Sequence, residues 1–185
     1  MTPMNAFAIL GLEERLTYSE DDIRAAFRNA GKNVHPDAGG GEGEFAELKE
    51  AQGILASPAR RLRHWMERNG TMVETRGTIG GNLMELFGEI GAVTQRVEAL
   101  ARKRETAKTA LARALLEGET QVCREELETM IGKTDQAIAE ECEEFPLWET
   151  GYPPESLDRM QQSVRNLTFL EKWRAGLRAG YSRLV

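Results

Sequence analysis

The chain has 185 residues, enough for one or two domains, and 41% of them are apolar, which is enough for a real core. Charged residues make up 29% and aromatics 6%; with Ala, Leu, Glu and Arg abundant and β-branched runs missing, this composition favours helices and excludes a sheet protein. The net charge of -6 excludes a general nucleic-acid binder, because attraction to phosphate needs a basic surface.

The acid excess lies between Glu117 and Glu144, where only Arg124 and Lys133 oppose the carboxylates. Two cysteines, Cys123 and Cys142, stand far apart and form no C-x-x-C, so neither a disulfide framework nor a zinc site is expected. The N-terminus lacks a basic segment followed by an apolar stretch, and no apolar run nears the ~18 residues of a membrane span. The expectation is a soluble, cytoplasmic protein with no membrane partner.

In chain order, a short helix fits Asn5 to Leu10, capped by Asn5 and ended by Gly11. The next helix starts at Ser19, where Ser19 and Asp22 form a capping box. Its apolar line is Ile23, Ala26, Phe27, Ala30 and Val34, and Pro36 breaks it. A loop, His35-Pro36-Asp37-Ala38-Gly39-Gly40-Gly41, follows. A third helix from near Glu44 carries Phe45, Leu48, Ala51 and Leu55, and Ser57-Pro58 interrupts it. A basic helix then ends at Gly70.

Residues Thr71 to Gly81 read as a linker without periodicity. Beyond it Leu83, Leu86, Ile90, Val93, Val97 and Leu100 recur three and four apart, a heptad-like seam. This helix is expected to run to Leu116 and stop at Gly118, and a second to span Glu119 to Glu144. Phe145-Pro146 to Pro153-Pro154 reads as a turn. The last helix carries Leu157, Met160, Val164, Leu167, Leu170, Trp173, Leu177, Tyr181 and Leu184. The predicted fold is all-α: a helical hairpin domain over residues 1–70, a linker over 71–81, and an antiparallel three-helix bundle over 82–185.

His35-Pro36-Asp37 sits at the tip of the hairpin. Three residues alone are a weak signal, but the helix before them adds context. Arg24, Arg28 and Lys32 lie four apart and stack on one face, opposite the Ile23–Phe27 line. A solvated face without a partner is the bland reading. A cationic stripe ending at a rigid loop, in a net acidic protein, favours docking to an acidic groove. Pro36 stiffens the loop, so little entropy is lost on docking. Asp37 offers a carboxylate that accepts an arginine in two bonds. His35 lacks the nucleophile and orienting group that a general base needs, so no catalytic residue, cofactor or metal is expected.

The segments NAFAILGL, IRAAFRNAGKNVHPD and FAELKEAQGILASPARRLRH together resemble a J-domain. In that family the HPD loop and the basic face before it contact a DnaK-type chaperone and stimulate its ATP hydrolysis. The resemblance implies that Arg24, Arg28, Lys32, His35, Pro36 and Asp37 make those contacts. Ser57-Pro58-Ala59-Arg60-Arg61 matches the pattern that follows the third helix, with His64 where the family usually has tyrosine. Ala38 departs from it, because a lysine usually follows HPD.

NLMELF and SVRNLTFLEKWR are similar to the matching helices of HscB-type J-proteins, which serve iron–sulfur cluster assembly. The likeness implies a DnaK/HscA-type chaperone partner and an IscU-type scaffold as client, bound through Leu83, Met84, Phe87 and Phe169. Phe169 and Trp173 lie off the Val164–Leu167–Leu170 seam, one turn apart, so periodicity independently makes them a candidate surface. Where the family carries glutamates on the first bundle helix, this chain has Gly88, Gly91 and Gln95. Two other readings stay open: a J-protein for a different client, and a structural interaction protein with a degenerate J-domain.

Overall fold

A computed structural model describes residues 4–34, 42–74, 76–151 and 156–184. Every element of regular structure among them is helical: α1 (Ala6–Ile9), α2 (Glu20–Val34), α3 (Glu42–Ala56), α4 (Pro58–Arg68), a 3-10 turn (Gly81–Leu83), α5 (Met84–Thr106), α6 (Ala110–Cys142), α7 (Phe145–Glu149) and α8 (Ser156–Leu184). The chain folds into two compact units, Met1–Gly77 with Cys142–Arg165, and Thr78–Glu141 with Asn166–Val185. The units interleave along the sequence, whereas the sequence reading divides the chain once, at residues 71–81.

Local signals set the first unit's helix ends. The Asn5 side chain accepts from the Ala8 amide, and Gly11 takes φ 65°. The Gly11 amide then bonds Ala8 O and the Leu12 amide bonds Phe7 O, closing the α1 carbonyls in a Schellman turn. At α2, Ser19 and Asp22 exchange bonds: the Asp22 amide donates to Ser19 Oγ at 3.1 Å, and the Ser19 amide to Asp22 Oδ2 at 3.0 Å. Ser57 caps α4 by accepting from the Arg60 amide, with Pro58 in its first turn. The same Schellman closure ends α4 at Gly70, φ 78°.

The core of this unit gathers Phe7, Leu10, Leu16, Ile23, Leu48, Leu55, Leu62, Trp65 and Met66, all buried. α3 packs against α1, α2 and α4. His64 stacks on Phe7 with ring centroids 5.7 Å apart. Arg61 is buried and donates to Leu55 O at 2.9 Å, satisfying a carbonyl in the last turn of α3. Trp65 Nε1 donates to Glu14 O, and Arg68 pairs with the Glu14 carboxylate at 2.7 Å.

The turn expected at Phe145 to Pro154 holds a helix instead. Pro146 lies in the first turn of α7, where its missing N–H costs no helical bond, so it starts the helix rather than breaking one. Phe145 and Trp148 are buried. Glu149 reaches the loop before α2: its carboxylate accepts from the amides of Leu16 and Thr17 and from the Thr17 hydroxyl.

In the second unit, Ile90, Val93, Val97 and Leu100 of α5, Cys123, Leu127 and Met130 of α6, and Leu177 and Leu184 of α8 form one core. The ion pairs Glu89–Lys133, Arg96–Glu126 and Lys103–Glu119 step down α6 as they step up α5, so the two helices are antiparallel. α6 and α8 are antiparallel too, since Arg174 meets Asp135, Tyr181 meets Glu128, and Arg124 meets Leu184 O. The α5–α6 break falls at 107–109, not at Gly118. Thr109 Oγ1 accepts from the Ala112 amide and starts α6 there, while Lys103 and Arg104 suit the negative end of α5. Gly118 is therefore interior to α6.

Gly80 is fixed by close approach. Its amide donates to Asn166 Oδ1 at 2.8 Å, and Asn166 Nδ2 donates to the buried Glu141 at 2.7 Å. A Cβ at Gly80 would lie 3.1 Å from the bonded Asn166 Nδ2. Neither Cys123 nor Cys142 forms a disulfide.

Candidate functional site

The two candidate surfaces lie on different units. On the first, Arg24, Arg28 and Lys32 are all exposed along α2, while Ile23 of the same helix is buried. The i, i+4 spacing thus produces the single cationic face that it implies. Arg24 bonds Glu20 at 2.7 Å and Asp21 at 3.5 Å within its own helix. Lys32 Nζ donates to Asn29 Oδ1 at 3.3 Å. Arg28 is exposed and makes no ion pair among the described residues. His35, Pro36 and Asp37 lie outside the described residues.

The scaffold behind this face is held by groups that sequence spacing does not reveal. The Ala6 amide donates to His64 Nε2 at 3.1 Å, so His64 is neutral, and its burial pushes its pKa below the ordinary value. The Arg68 guanidinium beside Glu14 holds that carboxyl below the usual carboxylate range, with Asn5 adding a hydrogen bond. The Ser19 hydroxyl and amide likewise lower the Asp22 carboxyl.

On the second unit, Phe87 and Phe169 are 49% and 37% exposed and Met84 is 54% exposed. Both phenylalanines pack on the half-buried Trp173, with ring centroids at 5.4 and 6.0 Å. These tilted contacts join α5 and α8 in one aromatic ridge. Leu83 does not share its exposure. It is only 4% exposed, because it ends the 3-10 turn with its side chain inward, so it presents no surface to a client. Glu89 is tied to Lys133, and a Cβ at Gly88 or Gly91 would meet nothing within 4 Å among the described residues, so no described neighbouring helix accounts for either glycine.

Two features leave no mark in residue spacing. One is Glu149, whose bonds to Leu16 and Thr17 span over a hundred residues of sequence. The other is the exposure of Leu111, Leu115 and Val122 on α6. No helix among the described residues is long and apolar enough to cross a membrane.

Comparison with known proteins gives the basic face its context. Residues 5–64 match the family model of the DnaJ domain. Over 95 residues the chain is 32% identical to a "Chaperone protein DnaJ" of Xylella fastidiosa, a match covering 48% of this chain and 25% of that protein. Over 76 residues it is 33% identical to a "DnaJ protein homolog" of Cucumis sativus, covering 41% of this chain and 18% of that protein. A "Chaperone protein DnaJ" of Caldicellulosiruptor saccharolyticus is 32% identical over 79 residues, 40% of this chain and 20% of that one. The chain thus spans a quarter or less of the relatives it matches. The fold is all-α and carries a J-domain in its N-terminal part.

Proposed function

We propose that this chain is a non-enzymatic co-chaperone of a DnaK-type chaperone. The basic face of α2 and the His35-Pro36-Asp37 loop dock on the chaperone and stimulate its ATP hydrolysis. The second unit presents a client through Met84, Phe87 and Phe169, and that client is an IscU-type iron–sulfur scaffold. Residues 1–70 act as the recruiting part, 82–185 as the client part and 71–81 as their connection, in the cytoplasm. The observation that carries the reading is the exposed Arg28, without an ion pair among the described residues, at the centre of a cationic face on a chain whose residues 5–64 match the DnaJ domain.

Charge makes this surface suited to fast, salt-sensitive docking on an acidic groove. Binding of the ATP-loaded chaperone should weaken about tenfold in Arg28→Glu and should fall with ionic strength. Equal binding by wild type and Arg28→Glu at low salt would remove the proposed docking face.

A second reading, a J-protein for a different client, is favoured by one observation. Beside the aromatic ridge Glu89 is paired with Lys133, and Gly88 and Gly91 stand where the HscB resemblance implies glutamates. A pull-down with the IscU-type scaffold separates the two. Capture supports the iron–sulfur assignment, and no capture by a chain that still stimulates the chaperone transfers the ridge to another apolar client.

A further inference from the structure

α6 carries a surface that neither the core nor the proposed sites use. Leu111 and Leu115 are 71% and 73% exposed and Val122 is 56% exposed. Gly118 stands between them, exposed, inside the helix, with nothing within 4 Å of where its Cβ would be. A glycine there weakens the helix, and nothing in the single chain compensates. Lys108 and Glu125 flank the stripe, both exposed and neither in an ion pair among the described residues; the Glu125 carboxylate accepts from Gln121 on its own helix.

Four positions of α6, 111, 115, 118 and 122, alternate four and three apart, with Glu125 one step further on and Lys108 just before the helix, in the 107–109 break. That is the spacing of one helical seam, the kind that meets a second helix. The series is also its own complement when reversed. A two-fold axis passing between Leu116 and Glu117 sets Leu111 opposite Val122 and Leu115 opposite Gly118, and carries Glu125 to the start of the second copy's α6, where Lys108 precedes the helix. A cation meets a carboxylate, an apolar chain meets an apolar chain, and the largest exposed leucine meets the notch left by the glycine.

We propose that this face pairs with the same face of a second copy of the chain, α6 against α6, antiparallel. Each contact then occurs twice, as an isologous interface requires. A parallel pairing is disfavoured, since it would set Lys108 on Lys108 and Glu125 on Glu125. Ala112 and Ala114 border the seam and keep its flanks small, so the helices can approach closely. Beside Val122 lies a groove of about 450 Å³ between α5 and α6, lined by Ala99, Leu100, Gly118 and Cys123, with room for Leu111 of the second copy. The surface area that leaves water is apolar and is otherwise exposed in the monomer, which supplies the driving force.

The test uses the full chain in sedimentation velocity, from low concentration up to about 500 µM. Wild type should show a concentration-dependent dimer. Leu115→Glu should be monomeric with an unchanged helical circular dichroism spectrum, because Leu115 is not part of the folded core. Lys108→Glu and Glu125→Lys should each weaken dimerisation about tenfold, since each reverses two symmetric charge pairs. Mixing the two single variants should restore it as a heterodimer, because only then do opposite charges meet at both ends. A wild type that stays monomeric, a dimer indifferent to Leu115→Glu, or a mixture no tighter than the single variants would each overturn the proposal.

Discussion

The backbone amide of Ala6 donates to Nε2 of His64 at 3.1 Å, across 58 residues of sequence. That single bond ties α1 to α4 and requires an unprotonated nitrogen on the imidazole. Because burial lowers the folded pKa of His64, the unfolded chain binds the proton more readily. The contribution of His64 is therefore fully present above its unfolded pKa of about 6.5 and is lost as pH falls below it. The chain has two histidines, so few other groups titrate just below that value. Urea melts should show wild type losing stability as pH falls through this window. His64→Phe should show a smaller loss, and an equal loss in both would deny the imidazole its role.

Arg61 is 6% exposed and spends a charged donor on Leu55 O. Arg61→Met keeps the bulk and leaves that carbonyl without its donor. Denaturant melts should register a loss of about 2 kcal/mol. A change within ~0.5 kcal/mol would mean that the carbonyl finds another partner at no cost.

Glu149 anchors the loop before α2 by accepting from two amides and one hydroxyl. Glu149→Ala should cost about 1–2 kcal/mol, and hydrogen exchange should quicken at Leu16 and Thr17. Unchanged exchange at both amides in Glu149→Ala would show that the bonds to Glu149 do not protect them.

On the aromatic ridge, Phe169 and Phe87 share contact with Trp173. Phe169→Ala should weaken binding of the IscU-type scaffold by about tenfold, while Leu83→Ala should act mainly on stability because Leu83 is buried. Calorimetric titration reads the first effect and thermal melting the second. The opposite pattern, with affinity lost at Leu83 and kept at Phe169, would move the client elsewhere.

Local chemistry made much of this fold legible. The caps at Asn5 and Ser19 and the helix ends at Gly11 and Gly70 are short-range devices, and each appears where its residues stand. Two inferences failed because a breaker residue has two meanings. Gly118 reads as a helix stop, yet Thr109 had already begun α6. Pro146 reads as a turn, yet in a first helical turn it is compatible with helix. Periodicity placed Phe169 and Trp173 off the seam, and the structure joins them to Phe87. Leu83 belongs to the seam by the same periodicity, and it is buried as the seam requires. The long-range bonds of His64 and Glu149 leave no trace in spacing, because their partners are backbone amides that every residue carries.

The central claim is recruitment of a DnaK-type ATPase, and single-turnover ATP hydrolysis by that chaperone measures it most directly. Addition of the wild-type chain should accelerate hydrolysis, Asp37→Asn should abolish the acceleration, and Arg28→Glu should reduce it. No acceleration by the wild-type chain, or full acceleration by Asp37→Asn, would contradict the account.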